Sequence, residues 1–267
     1  MAKTILISDD DSSGDAVPDG GAKGLVQRDF RAHPLGSFEY AAELPDNLII
    51  PRGEWSDRLN LQKKFQSRII DVRNRGMDGK PIPSRDQNGR GYCWFHSGTT
   101  CMMLARAAQN EPYADLSAYA GACIIKNYRD EGGFGAQGLK FQAERGIPTS
   151  EFWPQQSTSK KNDNPKTWEN AAKHKWSKWY DLEPRNIDHF VTACLMGWPI
   201  ISDFNWWGHS VGTMCLEEVG NDWSKIVSWI LNSWGDKWSQ NGAGLLKGKK
   251  AAPDSMQCCV VTYASAA

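Results

Sequence analysis

The chain has 267 residues, 40% of them hydrophobic, and its 31 basic and 31 acidic side chains cancel to a formal net charge of zero. That length can bury a large core and divide it into two lobes around a cleft. Charge balance, with no sustained basic stretch beyond Lys247 to Lys250, argues against nucleic acid as a partner. No apolar run approaches the roughly 20 residues that a membrane span needs.

Residues 1–47 read as an N-terminal arm ahead of a main domain over 48–267. Between Met1 and Ser8 the only apolar run is Ile5-Leu6-Ile7, followed by Asp9-Asp10-Asp11, which is too short a core with too acidic a flank for a signal peptide. A soluble protein of the cytoplasm, or of the interior of a virion or other particle, is the expectation. Asp9 to Lys23 is rich in Asp, Ser and Gly and is expected to be mobile unless a partner orders it. Leu25 to Leu44 carries Phe30, Phe38 and Tyr40 as anchors against the main body.

The most informative stretch is Gln87-Asn88-Gly89-Arg90-Gly91-Tyr92-Cys93-Trp94. After it, Cys101, Leu104, Ala105 and Ala108 fall at helical spacing in a segment running to Gln109, and Asn110 and Pro112 supply a stop. The Gly-rich turn thus sets Cys93 at a helix N-terminus, where free N–H groups and the dipole favour a thiolate. The dipole contributes roughly 0.3 to 1 kcal/mol, about 2 when partly buried, and lowers a thiol pKa by only about one unit. A stronger partner is needed.

Downstream, Ala136 to Arg145 is patterned as a helix capped by Gly146, and Gln155 to Pro165 as a polar surface loop. Arg185 to Met196 places Ile187, Phe190, Val191, Cys194 and Leu195 on one helical face before Gly197. Trp198 to Ile201, Val211 to Val219, Ile226 to Leu231 and Gly244 to Leu246 read as strands. Among them lie His209, in Gly208-His209-Ser210-Val211, and Asn232, in Asn232-Ser233-Trp234-Gly235. A cysteine, a histidine to take its proton and an amide to orient the imidazole suit nucleophilic acyl transfer. The Gln87 side chain and the Cys93 N–H could bind the oxyanion. Alone, His209 and Asn232 would read as a core histidine and a turn residue. Cys101, Cys123, Cys194 and Cys215 read as buried small apolar residues, and His33, His96, His174 and His189 as packing or surface groups. Cys-x-x-Cys and His-x-x-x-His spacings are absent, so no metal site and no cofactor is expected.

These segments, in this order, resemble the papain family of cysteine peptidases from about Leu48 to the C-terminus. Leu116-Ser117 to Cys123 followed by Gly132-Gly133-Phe134, then Gly146-Ile147-Pro148 with Phe152-Trp153-Pro154, and Trp238 with Asn241-Gly242, fit the same pattern. The resemblance implies an α+β, papain-like two-lobed fold, with a helical left lobe, a β-barrel-like right lobe and the cleft between them. It implies Cys93 as nucleophile, His209 as general base and acid, Asn232 as orienting residue and Gln87 in the oxyanion hole. Trp234 would shield the histidine and border the leaving-group side. Gly132 and Gly133 would pair with an extended peptide. Phe134 would wall the pocket for the substrate residue two before the scissile bond, implying an apolar side chain there.

The chain departs from the family at several places. Arg90 stands where the family has a cysteine three residues before the nucleophile, Asp130 and Glu131 occupy the place of another, and no cysteine lies within ten residues before His209. Seven cysteines, including adjacent Cys258 and Cys259, then read as reduced thiols. Phe95 replaces a small residue after the Cys-Trp pair, so the first helical turn must pack differently. The family's zymogens carry a longer helical propeptide; residues 1–44 are therefore expected to dock on the body or on a partner subunit rather than block the cleft. The sequence thus points to a papain-like cysteine endopeptidase acting on a peptide or protein. The missing propeptide and disulfides favour, as the alternative, a structural or binding subunit of a phage or bacterial particle with a relic or maturation-only site. Acyl transfer to an amine is a third possibility.

Overall fold

A computed structural model of the chain describes residues 3–12, 17–18, 21–77 and 79–259. Its central helix, α3 (Cys93–Ala108), is buried along nearly its whole length, which is why its sequence mixes apolar residues with Ser, Thr and Gly on every side. Asn110, at φ +57, turns the chain out of the helix as expected from the sequence. Around α3 stand α4 (Ala118–Ile125) and α5 (Gly135–Arg145), the latter ending at Gly146 with φ +81. The left lobe is completed by α6 (Pro165–Ala171), opened by the Asn164 side chain and a proline in its first turn.

Phe95 packs differently in a specific way. A Cβ on Gly121 in α4 would lie 2.0 Å from the Phe95 Cζ, so the large ring occupies space that glycine vacates, with edge contacts to Trp94 and Phe141.

Among the described residues the β-rich lobe is one eight-stranded sheet built from β1 (Leu6–Ile7), β2 (Ala41–Glu43), β3 (Trp179–Leu182), β4 (Ile200–Phe204), β5 (His209–Glu218), β6 (Val227–Leu231), β7 (Ala243–Lys247) and β8 (Ser255–Cys259), in the order β1-β7-β6-β5-β4-β8-β3-β2. Helices α1 (Trp55–Lys64), α2 (Ile69–Arg75) and α7 (Ile187–Leu195) pack around it; Trp55, Leu59, Phe190 and Val191 join Ile200, Val211 and Ile230 in one core. A second core fills the space between α3 and the sheet, with Cys101, Leu104, Ile201, Met214 and Cys215. Close approach there rests on Gly212, where a Cβ would meet Thr100 Cγ2 at 3.2 Å.

Both end strands come from the arm: β1 pairs parallel with β7 and β2 pairs parallel with β3. The arm therefore covers both open edges, where unpaired N–H and C=O groups would otherwise invite other chains. To join the two edges it crosses the cleft. Ser8 and Asp11 close a turn through 2.6 and 2.8 Å bonds to the Asp11 carboxylate, and the Lys250 N–H binds Asp9 at 3.1 Å. Residues 9–12 and 21–23 of the stretch expected to be mobile thus lie on the body; 13–16, 19 and 20 fall outside the described residues. No helix among the described residues is long and apolar enough to cross a membrane.

Candidate active site

Cys93 is the first residue of α3, and α3 packs on β5, which begins at His209. This packing brings the two together: the N–H of Ser210, next to His209, acts on the Cys93 thiol. His209 Nε2 donates to Asn232 Oδ1 at 2.8 Å, leaving Nδ1 without a hydrogen-bond partner. Asn232 Oδ1 also accepts the Ser233 N–H at 2.7 Å, so the amide is held in the orientation that directs its oxygen to the ring. Trp234 stacks on the imidazole with centroids 4.5 Å apart and 18° between planes, and Trp207 meets it edge-on at 5.0 Å. Two of the thirteen tryptophans thus wall the imidazole.

Gln87 reaches the same place because residues 84–87 run antiparallel to 232–235. Gln87 N donates to Ser233 O at 2.9 Å, Asp86 bridges Trp234, and Ser84 Oγ donates to Asn232 O at 2.7 Å. Ser233 Oγ donates to Gln87 Oε1 at 2.5 Å, which turns the amide so that its N–H group points into the cleft. Where the family resemblance would place cysteines, at Arg90 and at Asp130 or Glu131, the Asp130 carboxylate instead accepts the Gly91 N–H at 2.8 Å.

The cleft is filled by the arm. The Ala22 carbonyl accepts from Gln87 Nε2 at 3.1 Å and from Trp234 Nε1 at 3.0 Å. Gly133 N donates to Gly24 O at 3.0 Å and Val26 N to Gly133 O at 2.8 Å, so that Leu25 pairs with Gly133 in the parallel sense. Leu25 N donates to Gly208 O at 3.2 Å, and the Gly24 N–H acts on the Cys93 thiol. Phe134, expected to wall a substrate pocket, is covered by His33 and Phe38 at 5.5 and 6.2 Å. The expectation that the arm stays clear of the cleft is corrected here. Its short length suffices because it needs no helical domain: three backbone–backbone bonds, two side-chain bonds to the Ala22 carbonyl, the Arg28–Asp181 pair and two sheet edges hold it.

Sealing the site changes its electrostatics. Cys93, Gln87 and His209 are 0% exposed and Asn232 1%. Burial pushes the Cys93 thiol up to about 12, against the N–H groups of Ser210, Gly24 and Trp94 that pull it down. Burial likewise pulls His209 down to about 4, with its bond to Asn232 opposing and Lys23 assisting. In this closed state the pair is a neutral thiol and a neutral imidazole, not the ion pair that catalysis needs. His96 is also buried, with both ring nitrogens unbonded and its pKa driven down to about 3 by burial, in keeping with a packing residue against Tyr119. Cys101, Cys123, Cys194, Cys215 and Cys258 are buried free thiols.

No protein-family model matches the chain, and no curated protein matches its sequence. Solved structures do match. Xylellain, a cysteine protease from Xylella fastidiosa, aligns with TM-score 0.60 and 14% identity over 90% of this chain and 96% of its own. A recombinant stem bromelain precursor aligns with TM-score 0.59 and 14% identity over 84% and 76% of the two chains, and digestive procathepsin L 3 of the Tenebrio molitor larval midgut with TM-score 0.56 and 14% identity over 75% and 79%. The chain has the papain-like fold.

Sequence reading missed Trp207, Ser233 and the arm residues Ala22 and Gly24. The run Trp206-Trp207-Gly208-His209 offered a signal for the first, since aromatic residues flank the histidine directly. Nothing local marks the arm: its contacts inside the cleft run through its backbone, and Arg28 meets its partner Asp181 only across 153 residues of sequence.

Proposed function

We propose that the chain is a papain-like cysteine endopeptidase held latent by its own N-terminal arm. The observation that carries the reading is the bond from His209 Nε2 to Asn232 Oδ1, which leaves the buried Nδ1 without a partner at the start of β5, the strand that packs on the Cys93 helix. In the open enzyme the thiolate of Cys93 attacks the substrate carbonyl, and Gln87 Nε2 with the Cys93 N–H stabilises the oxyanion. Imidazolium His209 gives its proton to the leaving amine, then takes one from the water that releases the acyl group.

The seated arm resembles an occupant of that machinery. Ala22 offers its carbonyl to Gln87 and Trp234, on the side proposed for the leaving group, while Leu25 pairs with Gly133. The arm thus runs from the leaving-group side toward the Phe134 side, opposite to the direction proposed for a substrate. A chain laid in reverse fills the site and resists cleavage. Because β1 and β2 flank the crossing strand, opening requires displacement or a cut within it, and the flanking strands can stay in the sheet.

The sealed, uncharged site also supports the second reading, a structural or binding subunit of a larger assembly. A peptidyl epoxide separates the two. The peptidase reading expects labelling confined to Cys93 once the arm is displaced and lost in Cys93→Ser; an opened site that stays inert favours the subunit.

A further inference from the structure

We propose that the cleft selects a positively charged side chain, arginine or lysine, in the pocket beside Gly133 and Phe134, and that Asp203 recognises it. This rests on the reading of the cleft as a peptide-binding site. Asp203 lies on β4 opposite Ser210, one residue before the position that faces His209. It is 1% exposed. Its Oδ2 accepts the N–H of Gly135, the residue after Phe134, at 2.9 Å, while Oδ1 has no hydrogen-bond partner. Ser210 Oγ beside it directs its proton to Ser97 Oγ at 2.8 Å.

Gln257 on β8 completes the floor. Its Nε2 donates to Ser255 Oγ at 2.8 Å and to Asp181 at 3.4 Å, and its Oε1, like Asp203 Oδ1, has no partner. The two acceptors lie close together against Gly135, beside the Ile201 methyl: from the place of a Cβ on Gly135, Ile201 Cγ2 is 2.6 Å away, Gln257 Oε1 2.7 Å and Asp203 Oδ1 3.2 Å. Two buried acceptors, one of them a carboxylate whose nearest hydroxyl, Ser210, lowers its pKa but donates to Ser97, are costly unless a cation or a further donor arrives. Burial accordingly pushes the Asp203 carboxyl up to about 6, with Ser210, Gly135 and Arg28 pulling it down, and its charge is felt at the Cys93 thiol.

The arm shows that this wall of the cleft accepts a guanidinium. Arg28, two residues past Val26, is fully buried and grips Asp181 with two 2.7 Å bonds, close enough to act on Asp203 without bonding it. Phe30 and Phe38 flank the guanidinium at 4.6 and 5.4 Å, and Phe38 in turn lies on Phe134. In a substrate, the methylene stem of a lysine or arginine would run along Phe134 and the cationic head would meet Asp203 Oδ1 and Gln257 Oε1. The apolar side chain implied by Phe134 alone gives way to an amphipathic one.

The test uses the full chain carrying Gly24→Ala, which displaces the arm because a Cβ there would fall 2.1 Å from Gly91 O. Peptidyl epoxides identical except for arginine, citrulline or leucine at the residue entering this pocket are compared for their rate of labelling Cys93, with iodoacetamide as the peptide-independent control. Arginine is expected to label on the order of tenfold or more faster than neutral, equal-sized citrulline, and Asp203→Asn to remove that preference when each epoxide rate is divided by the same variant's iodoacetamide rate, which corrects for the effect of the Asp203 charge on the thiol. Citrulline or leucine labelling as fast as arginine, or a preference that survives Asp203→Asn, overturns the proposal. The arginine–citrulline comparison needs no change in the pocket, so it stands if Asp203→Asn does not fold. Failure of iodoacetamide to reach Cys93 would instead count against the peptidase reading. The pocket is then decided by calorimetry of the corresponding peptide amides on Gly24→Ala, Cys93→Ala protein, where tighter arginine binding supports the proposal and equal binding overturns it.

Discussion

Gly24 is the place where the arm is most easily dislodged by a small change. Its Cα side faces Gly91 so closely that an alanine Cβ would lie 2.1 Å from the Gly91 oxygen and 2.2 Å from its carbonyl carbon, both backbone atoms that no rotamer can move. Gly24→Ala must therefore lift the crossing strand, breaking the contact to Gly133 and withdrawing the Gly24 N–H from the thiol. With the arm seated, burial holds the Cys93 thiol at about 12. At pH 7.5 such a thiol is ionised to only about 3 parts in 100,000, whereas an exposed thiol of pKa about 8.5 is roughly one-tenth thiolate. Iodoacetamide should accordingly alkylate Cys93 on the order of a thousandfold faster in Gly24→Ala than in the parent chain, since only the thiolate reacts. Peptide mapping by mass spectrometry reads the site, with buried Cys101, Cys194 and Cys215 as internal controls that stay slow in both. A parent chain in which Cys93 reacts like an exposed thiol, or a Gly24→Ala chain with unchanged Cys93 reactivity, would refute the account of the arm.

Asn232→Ala in the opened protein should lower peptide hydrolysis by about tenfold through kcat, because His209 loses the acceptor that orients it; an unchanged kcat would remove Asn232 from the mechanism. Gly121→Ala should destabilise the fold by about 1–3 kcal/mol by driving a methyl group into the Phe95 ring, and much less in a Phe95→Ala background; equal losses in denaturant melts would deny that the two residues share one space. Asp181→Asn leaves the buried Arg28 guanidinium uncompensated and should cost about 3–5 kcal/mol, with loosening of the arm seen by hydrogen exchange. Burial holds His96 at about 3 and His174 and His209 at about 4, below their unfolded values. Their contribution to stability is complete above about pH 6.5 and is lost as pH falls toward 4, because the unfolded chain takes up the protons first. Asp203, raised to about 6, works in the opposite direction and offsets one of the three. The melting temperature should thus fall between pH 6.5 and 4, and a flat profile would contradict the neutral, buried histidines.

How much of this was legible in the sequence depended on whether a signal was local. Helix α3, its stop at Asn110, α5 with its Gly146 cap and the strands β5 to β7 follow from periodicity and punctuation, and the structure has them within one or two residues at most ends. The strand expected over Trp198 to Ile201 begins at Ile200 and runs on to Phe204, so Asp203 lay outside the elements read from the sequence. Helix α1 was missed because it buries only Trp55 and Leu59 and shows the rest to water. The end strands β1 and β2 are two and three residues long and gain their form from distant partners. Cys93, His209, Asn232 and Gln87 were legible through residue type and order, and the structure brings all four together. The arm was not legible. Its length argued against a propeptide, yet two sheet edges and a few backbone bonds replaced the helices that such a segment would need.

The proposed peptidase requires an intact Cys93–His209 site beneath the arm. It is tested most directly by following peptide hydrolysis in the parent chain, in Gly24→Ala, and in Gly24→Ala with Cys93→Ala. Little hydrolysis is expected in the first, clear hydrolysis in the second and none in the third. Hydrolysis that persists without the Cys93 thiol, or an opened chain that binds peptide and leaves it whole, would contradict it.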